Sequence, residues 1–289
     1  MYRSLDGLSA GDCLGAQFFV PGRSVPDLIA GIPPEPVWEW TDDTEMACGL
    51  VAHLRDRGQV DQDALAAEFA ERCEPYRGYG AGAVVTLRRI RQGEPWATVS
   101  AEAFGGTGSC GNGAAMRVAP LGAFFAGDPV RAAEQAALSA QVTHLHPEGV
   151  AGAVAVAVAA ALLAVESLAP QELLDAVARA LDAGQTRRGI ERARELVGST
   201  AEEAAHELGN GSRVIAQDTV PFSLWAAATH LTDFRAGITA CVRVGGDVDT
   251  TGAIVGGLLG AHGPVPADWL AAREPLPAWA AREHHPADD

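Results

Sequence analysis

The chain has 289 residues, 48% of them hydrophobic but only 6% aromatic, and a formal charge of −16. No Lys/Arg-rich stretch offsets that charge, which argues against nucleic acid or an anionic membrane as the main partner. Abundant Ala and Gly favour closely packed helices over a β-sandwich, and the length suits one large domain or two modest ones.

In chain order, "SAGDCLGAQFF" sets Asp12 beside Gly11 and Gly15, glycines one turn apart that let another backbone come close. Asp12 reads as a structural hydrogen-bond acceptor, the preferred role, or as a partner of metal ligands. Residues 21–36, "PGRSVPDLIAGIPPEP", form the longest irregular piece, and loops of that length tend to be functional. "TDDTEMACGLVAHLRDRG" starts with a capping residue and an acidic turn, spaces Met46, Leu50, Val51 and Leu54 as a helix does, and stops at Gly58. "DQDALAAEFAERCEP" is an amphipathic helix ended by Pro75.

Residues 105–120, "GGTGSCGNGAAMRVAP", are a glycine-rich loop running into an apolar helix. Its backbone N–H groups can cradle phosphate oxygens, although a simple turn is the plain alternative and no G-K-[ST] follows. Asn112 offers a side-chain donor, and Arg117, among apolar neighbours, reads as a buried ion-pair partner. Asp128–Pro129 opens another helix in the pairing expected at its start. His144 and His146 in "VTHLHPEG" read as satisfied residues sooner than as ligands. The uncharged residues 149–165, bounded by Glu148 and Glu166, are mostly Ala and Gly, which predicts a buried central helix and not a membrane span.

"APQELLDAVARALDAG" and "RRGIERARELVG" read as surface helices with one apolar face. "DTVPFSLWAAATHL" follows, with Val220–Pro221 as a turn or helix start, and then "DFRAGITACVRVGG". In residues 245–263, "GGDVDTTGAIVGGLLGAHG", Gly252, Gly256 and Gly260 recur every fourth position, a smooth face for a neighbouring helix. The tail after Gly263 holds several prolines and ends in "EHHPADD", with a frayed end and solvated His284 and His285 predicted. No alternating strand pattern of useful length occurs, so the expectation is all-α. Five scattered cysteines without a C-x-x-C pair, and no signal-peptide core, predict a cytoplasmic protein with reduced thiols.

Two acidic clusters stand immediately before apolar helices. Thr41, Asp42, Asp43 and Thr44 form one; Asp247, Asp249 and Thr250 form the other. Each alone is an ordinary acidic helix start. Brought together, four carboxylates without counter-charge would repel or take up protons, whereas two divalent cations would balance them. The all-oxygen set selects Mg²⁺, Mn²⁺ or Ca²⁺ over zinc or copper. Asp247 and Asp249 point about 200° apart on an ideal helix. "GGDVDT" should therefore be a loop entering a helix, with Gly245 and Gly246 permitting the tight approach.

Four stretches in this order, "GDCLG", "WTDDTEM", "GSCGNGAAMR" and "GGDVDTTGAIVGGLLGA", resemble the motifs of the ADP-ribosylglycohydrolase family. The resemblance runs from about residue 5 to 263, leaving 264–289 as a Pro-rich extension of one domain. It implies a single compact orthogonal helical domain with a dinuclear Mg²⁺ or Mn²⁺ site at an ADP-ribose cleft. Thr41, Asp42, Asp43, Asp247, Asp249 and Thr250 take the metal-ligand positions. Gly108, Ser109, Cys110, Gly111 and Asn112 fall where the pyrophosphate is held, and His144 where the ribose region is contacted. The implied reaction is hydrolysis at C1″ of ADP-ribose on a protein or small-molecule acceptor, by a monomer, with Asp42, Asp43 and Asp249 as the carboxylates of catalysis. Several members carry a Glu where this chain has Phe19; Glu35 or Glu39 would be substitutes from the preceding loop. Phe19 motivates a rival reading, an ADP-ribose-binding protein without turnover, and a dinuclear phosphoesterase is a further alternative.

Overall fold

The computed structural model describes residues 1–280, so the "EHHPADD" end lies outside the described residues. Its helices, in chain order, begin with α1 (Tyr2–Ala16), α2 (Val25–Ile29), α3 (Asp42–Arg57), α4 (Gln62–Arg72), α5 (Ala81–Arg91) and α6 (Trp96–Gly106). The middle of the chain gives α7 (Gly113–Met116), α8 (Ala119–Phe124), α9 (Pro129–Gln141), α10 (Pro147–Leu163), α11 (Pro170–Arg179) and α12 (Gln185–Glu195). Then come α13 (Ala201–Leu208), α14 (Ala216–Thr229), α15 (Phe234–Val244), α16 (Val248–His262) and α17 (Ala267–Ala272). Among the described residues β-pairing is confined to isolated bridges, Trp38 with Arg273 and Gly111 with Ile215, so the molecule is all-α as expected.

Local chemistry sets many of these boundaries. Thr41, Asp61, Asp128 and Asp233 cap α3, α4, α9 and α15 through their side chains, each cap contributing about 1 kcal/mol. Gly58 ends α3 in the left-handed conformation, where a Cβ would be strained. The long piece 21–36 is not wholly irregular: Ser24 caps the short helix α2 within it. Pro221 is neither turn nor start but sits inside α14. It removes one helical hydrogen bond, and its ring lies on Gly189 of α12, where an added Cβ would come within 2.5 Å of Pro221 Cγ. Tertiary packing there overrides the local signal.

The uncharged helix α10 is the centre of the core. From Gly152 to Leu163 every residue is buried, and α10 packs against α8, α9, α14 and α16. No helix among the described residues is long and apolar enough to cross a membrane. All five cysteines are unpaired, four of them buried, and burial pushes the Cys48 and Cys241 thiols up to about 12.

The most intimate contact in the fold joins α1 to α16. Gly7 and Gly11 interlock with Gly256 and Gly252, and a Cβ on Gly7 or Gly11 would overlap the facing carbonyl oxygen. A Cβ on Gly252 would come within 2.6 Å of the Gly11 carbonyl oxygen, and one on Gly260 within 2.6 Å of that of Arg3. Ser4 Oγ donates to the Gly257 carbonyl at 2.7 Å, and the Arg3 guanidinium to those of Gly260 and Ala261. The glycines at every fourth position thus form the smooth face that the sequence predicts. Because backbone, not a flexible side chain, would have to move, Gly11→Ala and Gly256→Ala should each cost about 3 kcal/mol or more. Gly80→Ala, with nothing within 4 Å of its Cβ, should cost about 1 kcal/mol or less. Chemical denaturation measures this, and equal losses in all three variants would contradict the seam.

Candidate active site

The α1–α16 seam ends at the acidic clusters. Gly15 lies against Val248 and Asp249, where an added Cβ would come within 2.7 Å of Asp249 Cα, so the C-terminal end of α1 runs beside the start of α16. Asp12, wholly buried, reaches from α1 to the start of α3. It accepts from the Thr41 amide at 2.9 Å, the Thr41 hydroxyl at 2.8 Å, the Thr44 amide at 3.2 Å and the Thr44 hydroxyl at 2.5 Å. The Thr41 hydroxyl also lies 3.1 Å from Asp43 Oδ2. One carboxylate oxygen each from Asp12, Asp43 and Asp249 lies within 4.8 Å of the others. Asp12 is therefore both the structural acceptor preferred from sequence and a member of the acidic cluster.

Asp247 stands at the N-cap of α16, reached through the left-handed Gly245 and Gly246. Helix begins at Val248, so "GGDVDT" is a loop entering a helix as the spacing requires. Asn112 Nδ2 donates to Asp247 Oδ2 at 2.7 Å and lies 3.1 Å from Thr219 Oγ1. The Asn112 amide, expected at the pyrophosphate, is thus occupied in holding an aspartate. Thr250 is buried, and its amide donates to Asp249 Oδ1 at 2.8 Å.

These groups open on a cavity of about 370 Å³ lined by Asp42, Asp43, Asp247, Asp249 and Thr250, and also by Ser109, Gly111 and Asn112. His144 and Arg117 also line it. Gly108, left-handed, rests on the backbone of Leu145 and His146, and neither it nor Cys110 lines the cavity. Thr41 lies behind the lining, holding Asp12 and Asp43. Phe19, in a short 3-10 turn, is 54% exposed and away from the cavity lining, as are the exposed Glu35 and Glu39. Neither glutamate takes the place of the family's missing one in this structure.

Sequence reasoning missed part of the wall. Phe104 faces the cavity at the end of α6, in a left-handed conformation followed by Gly105 and Gly106. Gly78, Gly80 and Gly82 line it as well, and their alternation in "RGYGAG" was a legible sign of backbone exposed to a ligand. A larger cavity of about 800 Å³ lies beside α13, α15 and α17. Of its acids, Glu202 and Asp268 are paired with Arg243 and Arg235 and Asp233 caps α15, so it lacks the crowded carboxylates of the acidic cleft.

Burial and mutual repulsion dominate the electrostatics. Burial pushes Asp12 up to about 6 against the lowering effect of its threonine hydrogen bonds. Burial and then Asp12 push Asp42 up to about 7. Asp43 and Asp249 are held well above the carboxylate range by burial and by neighbouring aspartates. Asp43 Oδ1 is buried without a hydrogen-bond partner. An orphaned oxygen among all-oxygen donors with excess negative charge fits a hard divalent cation.

Arg117 does not pair with an acid as predicted. It is completely buried and donates to the carbonyls of Gly113 (3.1 Å) and Ser139 (2.8 Å) and to Thr143 Oγ1 (3.1 Å), with Phe69 against its face. Burial lowers it to about 9. Burial, and then Arg117, push His144 down to about 3, so the imidazole is neutral. Because Arg117 donates to Thr143 Oγ1, the hydroxyl proton is free for His144 Nδ1, 2.7 Å away. The tautomer in which that hydroxyl donates to Nδ1 carries the ring proton on Nε2, which faces Gly111 and Gly113.

A family model described as ADP-ribosylglycohydrolase matches residues 2–285. The chain is 30% identical over 322 residues to a Gallus gallus protein named ADP-ribosylhydrolase ARH3, covering 92% of this chain and 86% of that protein. It is 29% identical to the Homo sapiens protein of the same name, with the same two coverages. It is 31% identical to an uncharacterized protein of Archaeoglobus fulgidus, covering 91% of this chain and 88% of that one. A solved structure described as an ADP-ribosylglycohydrolase-related protein complex superposes with a TM-score of 0.66 at 29% identity, covering 94% of this chain and 92% of that one.

The raised carboxyls carry a signed consequence for stability. Asp12 and Asp42 rise from 3.8 to about 6 and about 7, so the folded, metal-free chain binds more protons than the unfolded chain between those values. Stability from these groups is fullest below the unfolded value and is lost as pH rises through the folded ones. In chelator, the melting temperature should fall between pH 5 and pH 8, a window that follows from this linkage. Asp43→Asn, which removes one buried charge, should raise the melting temperature at the upper end. A melting temperature unchanged or lowered by that substitution would contradict the charge crowding.

Proposed function

The chain belongs to the ADP-ribosylglycohydrolase family, a family of glycosyl hydrolases, and on that premise we propose that it is a divalent-cation-dependent ADP-ribosyl hydrolase acting at C1″ of the distal ribose. The observation that carries this reading is the buried aspartate cluster, with Asp43 Oδ1 orphaned, opening on the same cavity as the glycine loop. Thr41, Asp42, Asp43, Asp247, Asp249 and Thr250 would hold two Mg²⁺ or Mn²⁺ ions. Their four carboxylates match four positive charges, and Asp12 holds Thr41 from behind.

When bound, the cations supply Lewis-acid polarisation and neutralise the cluster. The chain's own residues do the rest. The loop Gly108, Ser109, Cys110 and Gly111 would face the anionic pyrophosphate chiefly through Ser109 and Gly111, which line the cavity, since the Gly108 N–H is bonded to the Ala103 carbonyl and the Gly111 N–H to Ser109 Oγ. His144 donates its Nε2 proton to a ligand oxygen from a fixed orientation. Asp42, Asp43 or Asp249 accepts the proton of the attacking water. Asn112 keeps Asp247 in place.

A binding protein without turnover is not favoured, since the relatives are named hydrolases and Phe19 lies away from the cavity lining. A cytoplasmic location belongs to the same reading, supported by cysteines that form no disulfide, and a monomer is proposed with it. The test is release of free ADP-ribose, read by mass spectrometry, from ADP-ribosylated serine peptides, arginine peptides and small-molecule conjugates. Mg²⁺ or Mn²⁺ should be required, and Asp249→Asn should lower the rate by at least about 100-fold, beyond what residues that only support a ligand cost. No release from any conjugate with metal bound would overturn the proposal, and AMP in place of ADP-ribose would indicate a phosphoesterase.

A further inference from the structure

We infer that Glu274, in the segment after α17, is a positioning residue that fastens two walls of the acidic cavity at once. This goes beyond the hydrolase reading in assigning a role to the C-terminal extension, and it rests on that reading for the cavity's use. The segment lies outside the span of the four motifs, yet it is bound to both approaches to the site.

The first approach is the strand-like stretch before α3. The Trp38 amide donates to the Ala272 carbonyl and the Glu274 amide to the Trp38 carbonyl, each at 2.8 Å. The Trp40 amide donates to Glu274 Oε2 at 3.4 Å, and the Trp40 indole to the Pro275 carbonyl at 3.3 Å. The next residue is Thr41, which caps α3 and meets Asp12 and Asp43.

The second approach is the loop between α4 and α5. Glu274 receives both terminal nitrogens of Arg77, at 2.8 Å and 3.0 Å, a bidentate pairing with the Arg77 side chain only 12% exposed. The same guanidinium donates to the Trp40 carbonyl at 3.1 Å and lies 3.3 Å from the centroid of the Trp40 ring. The next residue is Gly78, left-handed, where an added Cβ would stand 3.4 Å from Asp42 Oδ1. Beyond it Tyr79 donates to Glu45 of α3 at 2.6 Å, and Gly80 lines the cavity.

One carboxylate therefore fixes the residues immediately before Thr41 and immediately before Gly78. The loop is held on its inner side by Glu45 and on its outer side by Glu274. A surface ion pair contributes little because water competes for it. This one is mostly buried, bidentate and stacked, so loosening it frees both walls together.

The test uses the full chain with Glu274→Gln and Arg77→Lys, the second keeping the charge but losing the fork. Asp268→Asn, which breaks the exposed Arg235–Asp268 pair of the neighbouring α17, is the control. Amide hydrogen exchange should quicken in peptides covering residues 38–45 and 76–82 in both test variants and not in the control. Calorimetric titration with Mn²⁺ should show about tenfold weaker binding in the test variants, the range typical of residues that orient ligands. Unchanged exchange in both peptides in either folded test variant would overturn the inference. If the unsubstituted protein binds no Mn²⁺, the metal-dependent reading fails, while the exchange pattern still decides the role of Glu274.

Discussion

Backbone meets backbone where α1 packs on α16, and the site exists because no side chain intervenes. A Cβ on either helix would separate them, and Asp12 would leave the neighbourhood of Asp249. The aspartates come from elements far apart in sequence, so their spacing is set by how closely these helices approach. Glycine in a helix weakens it locally, by about 1 kcal/mol each relative to Ala. Here the loss is offset by contact between backbones and by bonds such as that from Ser4 to Gly257.

That rigidity is directed against a repulsion. Helix starts at Asp42 and Val248 place partial positive charge near the acids, and the threonines of α3 donate to Asp12. Those contributions are insufficient, because Asp12, Asp42, Asp43 and Asp249 all remain above the ordinary carboxylate range. A fold selected for stability alone would replace such a cluster with apolar residues. A cluster that is kept, held by a seam that cannot relax, is arranged for a ligand that supplies positive charge.

Much of this was legible because it is local or repetitive. Caps such as Thr41 and Asp128, the stop at Gly58, the uncharged α10 and the fourfold glycine period are each written in a short window of sequence. The acidic pairs were legible as well, since carboxylates with threonines before apolar helices are few. What stayed hidden depends on distant partners. Pro221 fits inside α14 only because Gly189 of another helix receives its ring. Arg117 lacks the predicted acid because carbonyls of Gly113 and Ser139 surround it, and carbonyls carry no mark in a sequence. Asn112 looked like a ligand donor, but its amide is committed to Asp247, 135 positions away. Phe104 became part of the wall through a left-handed turn that bulky residues rarely adopt.

The cavity is polar in a directed sense. At one end stand acids with no cationic side chain, among the described residues, bonded to Asp12, Asp43 or Asp249. At the other stand Ser109 and Gly111, a neutral His144 and the buried guanidinium of Arg117. An anionic group would be repelled from the first end and attracted to the second. Hydroxyls and a cation suit the reverse arrangement. A molecule with a charged middle and a hydroxyl-bearing end therefore has one favourable orientation here, and ADP-ribose is such a molecule. The neutrality of His144 matters to this: a neutral ring adds no second positive charge beside Arg117. Burial and Arg117 hold it neutral, which keeps the two ends chemically distinct.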